Sequence, residues 1–113
     1  MIKNAKLKNL FKLSSKVTVY VPSTININQE IDNTKHVEKI ASLLSDCFGG
    51  STSSLALGYW NSPSAGLVKE KTTIVFSYCT EQALQENIER VITACEELKS
   101  ELKQDAIALE ING

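Results

Sequence analysis

The sequence predicts an α+β domain of the ferredoxin-like, β-α-β-β-α-β type, with a four-stranded antiparallel sheet and two helices on one face. Three observations carry this. Two segments repeat apolar residues at helical spacing, four others alternate or run as strands, and their order is strand, helix, strand, strand, helix, strand. Each crossover should be right-handed, giving a strand order 4-1-3-2 with the first and third strands central.

The first strand is read over 16–21, Lys-Val-Thr-Val-Tyr-Val. Val17, Val19 and Val21 share one side, and Thr18 and Tyr20 share the other. Pro22 removes the next backbone donor and ends it. Residues 23–33 are polar with isolated isoleucines and read as a loop, with Asp32 or Asn33 able to cap the next helix.

The first helix is placed over 34–48. Val37, Ile40, Ala41, Leu44, Cys47 and Phe48 make one stripe, and Gly49 supplies the left-handed residue that helix ends favour. Strands over 54–60 and 67–79 flank the turn chemistry of Asn61–Gly66, forming a hairpin. Leu55, Leu57 and Tyr59 alternate with Ala56, Gly58 and Trp60. Thr80 caps a second helix, whose stripe runs through Leu84, Ile88, Val91, Ile92, Cys95, Leu98 and Leu102. On its surface Glu86 and Arg90 form a favourable pair, and Glu97 and Glu101 repel. A last strand is expected over 105–112, with Ile107, Leu109 and Ile111 inward and Ala106, Ala108 and Glu110 outward.

At 113 residues with 42% apolar and 22% charged side chains, one globular domain is expected over 16–113, preceded by an arm or short helix over 1–15. The net charge of −1 hides an asymmetry: Lys3, Lys6, Lys8, Lys12 and Lys16 stand in a stretch without acids, so the remaining body is acidic. An acidic body argues against a broad nucleic-acid surface and leaves nucleic acid to the arm alone. The three cysteines form no Cys-x-x-Cys pair and there is one histidine, so neither a zinc site nor a disulfide framework is expected. No apolar run is long enough to span a membrane, no secretory signal is visible, and the cysteine usage points to cytoplasm.

The uncovered sheet face is expected to carry Thr18, Tyr20, Ala106, Ala108 and Glu110, with one or other alternate set from the third strand. A homodimer through this face or an edge strand is the resulting expectation. Tyr59 and Trp60, beside a Gly/Ser/Pro turn, are candidate interaction residues, because exposed tryptophan is enriched at binding hot spots. Glu70 shares a face with Val68, Thr72 and Ile74. It is a candidate acid, base or anchor if that face is the core, and otherwise a salt-bridge partner of Lys69, Lys71 or the arm. Tyr20 and Glu110 complete the interaction set. His36 is expected to face solvent, and Cys79, at a strand end, is the cysteine to test for reactivity. Gly49-Gly50-Ser51-Thr52 comes after a helix rather than preceding one, which excludes a phosphate cradle. No catalytic constellation, cofactor site or metal site is predicted.

The runs TVYVPSTININQEID, LLSDCFGGST, LGYWNSPSAGLVKEKTTIVFSY and AIALEING resemble small uncharacterised proteins of plasmids, prophages and other mobile elements of Gram-positive bacteria. They are also similar to a domain family of unknown function with a Gly-x-Trp hairpin, a further glycine and a strand glutamate, here Gly58, Trp60, Gly66 and Glu70. The resemblance implies a setting and no catalytic residue. Small acidic proteins in that setting often block a host defence protein, as anti-CRISPR inhibitors do, by laying acidic surface in a basic channel. The leading expectation is therefore a non-catalytic interaction protein, a counter-defence inhibitor of a nuclease or other effector. The alternatives are a small dimeric enzyme or ligand-binding protein with a pocket near Trp60 and Glu70, and a regulator binding DNA through the lysine arm.

Overall fold

The computed structural model describes residues 13, 15–26 and 29–112. The arm lysines Lys3, Lys6, Lys8 and Lys12, and any helix over 1–12, lie outside the described residues; Lys16 lies within them.

Strand β1 (Ser15–Pro22) leads through two short strands, β2 (Thr24–Ile25) and β3 (Gln29–Glu30), into helix α1 (Thr34–Phe48). Strands β4 (Thr52–Ser62) and β5 (Gly66–Cys79) form the hairpin, and helix α2 (Glu81–Glu101) and strand β6 (Leu109–Asn112) come after it. The main sheet has four strands in the order β4-β5-β1-β6, every neighbour antiparallel. This is the ferredoxin-like arrangement with the first and third long strands in the centre.

The valine alternation of β1 sets the core. Val17, Val19 and Val21 are essentially inaccessible and meet Ser77, Val75 and Thr73 of β5 across the ladder. Ile40 and Leu44 of α1 close over them with Val91, Cys95 and Leu98 of α2, and with Leu102 just beyond it. Ser77 and Thr73 are tolerated in this layer because each is paired. The Ser77 hydroxyl donates to the Gly50 carbonyl, and the Thr73 hydroxyl accepts from Asn33 Nδ2 at 3.3 Å.

Both helix boundaries arise from local chemistry. Gly49 ends α1 at φ 94°, and its N–H reaches the Ser45 carbonyl at 2.8 Å. Thr80 accepts from the Ala83 N–H at 3.1 Å at the start of α2. At the start of α1 it is Asp32, not Asn33, whose side chain accepts from the Thr34 N–H. Asn33 Nδ2 instead ties α1 to the sheet through the carbonyls of Val21 and Pro22.

Several expectations are corrected. Arg90 pairs with Asp46 of α1 at 2.8 Å rather than with Glu86, which accepts from Gln82 at 3.1 Å. Lys39 lies between Glu97 and Glu101, at 3.5 and 3.1 Å, and turns their repulsion into a bridge between helices. His36 is only 23% exposed at its side chain, and its Nδ1 lies 3.2 Å from Glu101. The last strand is shorter than expected: residues 105–108 are irregular, and Ile111, though on the inward side, is 44% exposed.

Candidate functional site: the bare sheet face and the protruding hairpin

Strand β1 ends at Pro22, opposite Thr72, yet the hairpin continues from there to its turn at residues 63–65. From the Leu57–Lys71 pair outward, the ladder binds β4 and β5 only to each other. Neither helix covers this stretch. Leu55 is 86% exposed, Leu67 67%, Tyr59 59% and Trp60 42%. Strand β4, from Thr52 to Ser62, contains no charged residue and lies at the sheet edge. Edges of this length normally carry lysine, proline or a bulge to prevent further pairing.

The register assigns each side chain to a face. Leu55, Leu57, Tyr59, Leu67, Lys69 and Lys71 lie on the helix side. Ala56, Gly58, Trp60, Val68, Glu70 and Thr72 lie on the bare side and continue into Ile74 and Phe76. Glu70 therefore does not enter the core. It sits half-buried on the bare face with Gly58 directly opposite and Trp60 and Ala56 on the diagonals. Because Gly58 has no side chain, the position opposite Glu70 is left open, with Trp60 as its diagonal neighbour. Lys69 and Lys71 point to the other side, and Glu70 forms no ion pair among the described residues.

A second group lies at the far end of the same face. The Tyr20 hydroxyl donates to Glu110 Oε1 at 3.1 Å, which with partial burial pushes the phenol pKa above its ordinary value. Lys16 Nζ lies 4.4 Å from the Phe76 ring centroid and 5.5 Å from that of Tyr78. Tyr20 pairs with Ile74, four residues along β5 from Glu70, so the two groups are separated by about 13 Å of strand. Of the five predicted interaction residues, Tyr20 and Glu110 meet each other, Trp60 and Glu70 are diagonal neighbours on the bare face, and Tyr59 lies on the opposite side of the hairpin.

On that opposite side is a hollow of about 510 Å³, between Ser23, residues 31–33 and the hairpin root. Ile31, Asp32, Asn33, Leu55, Leu57 and Lys71 line it, rather than Trp60 or Glu70. Sequence reading missed it because residues 23–33 carry only scattered isoleucines and no periodic signal.

Cys79 is 2% exposed, and burial raises its thiol pKa; burial likewise raises those of Cys95 and Cys47. A buried thiol with a raised pKa is a poor nucleophile, which counts against a reactive Cys79. No cluster of His, Cys, Asp and Glu suited to a metal occurs among the described residues, and none of their helices is long and apolar enough to cross a membrane.

No family model matches the chain, and no curated protein matches it in sequence. Solved structures match its fold. A phage SAM lyase in complex with S-methyl-5'-thioadenosine superposes with a TM-score of 0.64 at 13% identity, over 92% of this chain and 84% of that one. CutA from Pyrococcus horikoshii gives 0.55 at 13% identity, over 87% and 81% of the two chains. A Bacillus cereus protein related to NIF3 gives 0.54 at 17% identity, over 87% of this chain but 24% of the other. At these identities the likeness establishes the ferredoxin-like fold.

Proposed function

We propose that this chain is a self-associating protein that binds S-adenosylmethionine and releases S-methyl-5'-thioadenosine from it. The observation that carries the reading is the Glu70–Trp60 notch, an unpaired carboxylate beside an indole opposite a glycine. S-adenosylmethionine offers a sulfonium and an ammonium. A carboxylate attracts either charge, and an indole face attracts a cation through its quadrupole. Release of the thioether breaks the bond from sulfur to the γ-carbon of the amino-acid chain, its electron pair staying on sulfur, while a carboxylate oxygen of the same substrate forms the new bond to that carbon, so the amino-acid part leaves as its lactone and no co-reactant is needed. The phage SAM lyase, whose fold matches over most of both chains, supports the choice of ligand.

Self-association is supported by the uncharged edge and the apolar tip. At the tip Leu67 and Tyr59, 67% and 59% exposed, lie on the helix side, and Trp60, 42% exposed, lies on the bare side. On the bare face Ile74 and Phe76 continue the apolar surface from Trp60 along β5, beside the uncharged edge strand. Tyr78, 50% exposed, extends the same surface.

The test is incubation of the purified protein with S-adenosylmethionine, then chromatography and mass spectrometry for S-methyl-5'-thioadenosine, with calorimetry for binding. Product formed by wild type and lost in Glu70→Gln supports the reading. Neither heat nor product at millimolar ligand overturns it.

A second reading is favoured by the exposed Tyr59 and Trp60 and by the acids of α2, Glu81, Glu86, Glu89, Glu96, Glu97 and Glu101. Here the chain is a counter-defence inhibitor from a mobile element, of the anti-CRISPR type, that occupies a basic nuclease channel by charge complementarity. Mixing it with purified defence nucleases decides this: neither binding nor inhibition contradicts it.

A further inference from the structure

We infer that the hollow between Ser23, residues 31–33 and the hairpin root is a binding site for a free α-amino acid with an apolar side chain. The inference goes beyond the sulfonium reading and uses none of its residues, since Glu70 and Trp60 face the other side of the sheet.

The hollow has the size and composition of a small-ligand site. Its volume, about 510 Å³, falls in the range of such sites, and Ile31, Leu55 and Leu57 give it apolar walls. Leu55, at 86% exposed, now meets water where an apolar side chain would lie. Two opposite charges line the same space, Asp32 and Lys71, and they form no ion pair with each other. Asp32 Oδ1 is taken up by the Thr34 N–H and hydroxyl, which hold the carboxyl below its ordinary pKa and leave Oδ2 as the acceptor to spare. An α-ammonium at Asp32 and an α-carboxylate at Lys71 would satisfy both charges at once. A ligand with only one charge would leave the other unmatched.

The walls are also held in place. The Ser23 hydroxyl donates to the Lys71 carbonyl at 2.6 Å, joining the loop to the hairpin. Asn33 ties the loop's other end to β1, and Gln104 Nε2 fastens Thr24 through its carbonyl at 3.0 Å. The Asn26 N–H reaches the Leu102 carbonyl at 2.8 Å. Such a site binds without first paying to order its walls.

The test is titration of the full chain with L-methionine and L-leucine, observed by two-dimensional amide NMR. The comparison ligands are L-methioninamide, which lacks the carboxylate, and 4-(methylthio)butanoate, which lacks the ammonium. The amides of Ile31, Leu57 and Lys71 should shift with the amino acids, and both comparison ligands should bind at least about tenfold more weakly. Asp32→Asn, which keeps an oxygen for Thr34, and Lys71→Met should each weaken binding by a similar factor with unchanged melting; if the first variant misfolds, the second still decides. No shifts at millimolar amino acid, or equal binding of the singly charged analogues, overturns the inference. Absence of S-adenosylmethionine binding would leave it standing.

Discussion

Glu70 stands directly opposite Gly58 across the hairpin, on the sheet face that neither helix covers. A side chain at position 58 would rise beside that carboxylate. A Cβ there would meet only the Glu70 carbonyl, at 3.8 Å, which is ordinary contact. Gly58→Val should therefore fold, with a melting temperature equal to or above wild type because valine suits a strand. It should lose S-adenosylmethionine binding by at least about tenfold, since its branched side chain fills the notch. Calorimetry and thermal denaturation on the same sample separate the two effects.

The core makes a second prediction. Leu44 is fully buried between the sheet and α2, and truncation leaves a void that the helix cannot close. Leu44→Ala should cost about 2–5 kcal/mol by denaturant unfolding. Thr80→Ala, which removes the acceptor for the Ala83 N–H, should cost only about 1 kcal/mol.

Much of this core was legible from alternation. The β1 valines and the α1 stripe each announced one buried side, and helical spacing matched the observed α1 over Thr34–Phe48. Strand β5 did not announce its side. Its core face carries Thr73, Val75, Ser77 and Cys79, while the larger Ile74, Phe76 and Tyr78 lie on the bare side. Composition alone suggests the reverse. The choice is made by pairing with β1 and by Asn33 and Gly50, which satisfy the two buried hydroxyls. The hairpin itself was legible from its turn residues. The notch was not, because placing Glu70 required the face of β5, and the hollow was not, because its loop wall has no periodicity.

Thr18 shows a local cost. It is 3% exposed on the bare side, between Phe76 and Glu110, and its hydroxyl oxygen has no hydrogen-bond partner among the described residues. Thr18→Val keeps the shape and removes the unpaired group, so unfolding free energy should stay level or rise by up to about 1 kcal/mol. A loss would show that the hydroxyl is satisfied in solution.

Tyr20 supplies a pH prediction. Its hydrogen bond to Glu110 raises its pKa above 10.0, with desolvation and then the nearby negative charge adding to the effect. The folded value lies above the unfolded one, so the contribution is fully present below the unfolded pKa and is lost as pH rises through the folded one. In an ultraviolet titration, Glu110→Gln should bring the Tyr20 transition to lower pH. Tyr20→Phe should remove it.

The cysteines order themselves by burial. Cys47 is half-buried, with Arg90 opposing the upward shift of its pKa, whereas Cys79 and Cys95 are buried in the core. Iodoacetamide at neutral pH should label Cys47 first and slowly, with Cys79 and Cys95 labelled only after denaturation. Early labelling of Cys79, read by peptide mass, would contradict the packing described.

The most direct test of the account is amide and indole NMR of the assembled protein titrated with S-adenosylmethionine. The account predicts that the largest shifts fall on Gly58, the Trp60 indole and Glu70, and that they vanish in Glu70→Gln. Shifts centred elsewhere, or none at saturating ligand, would contradict it.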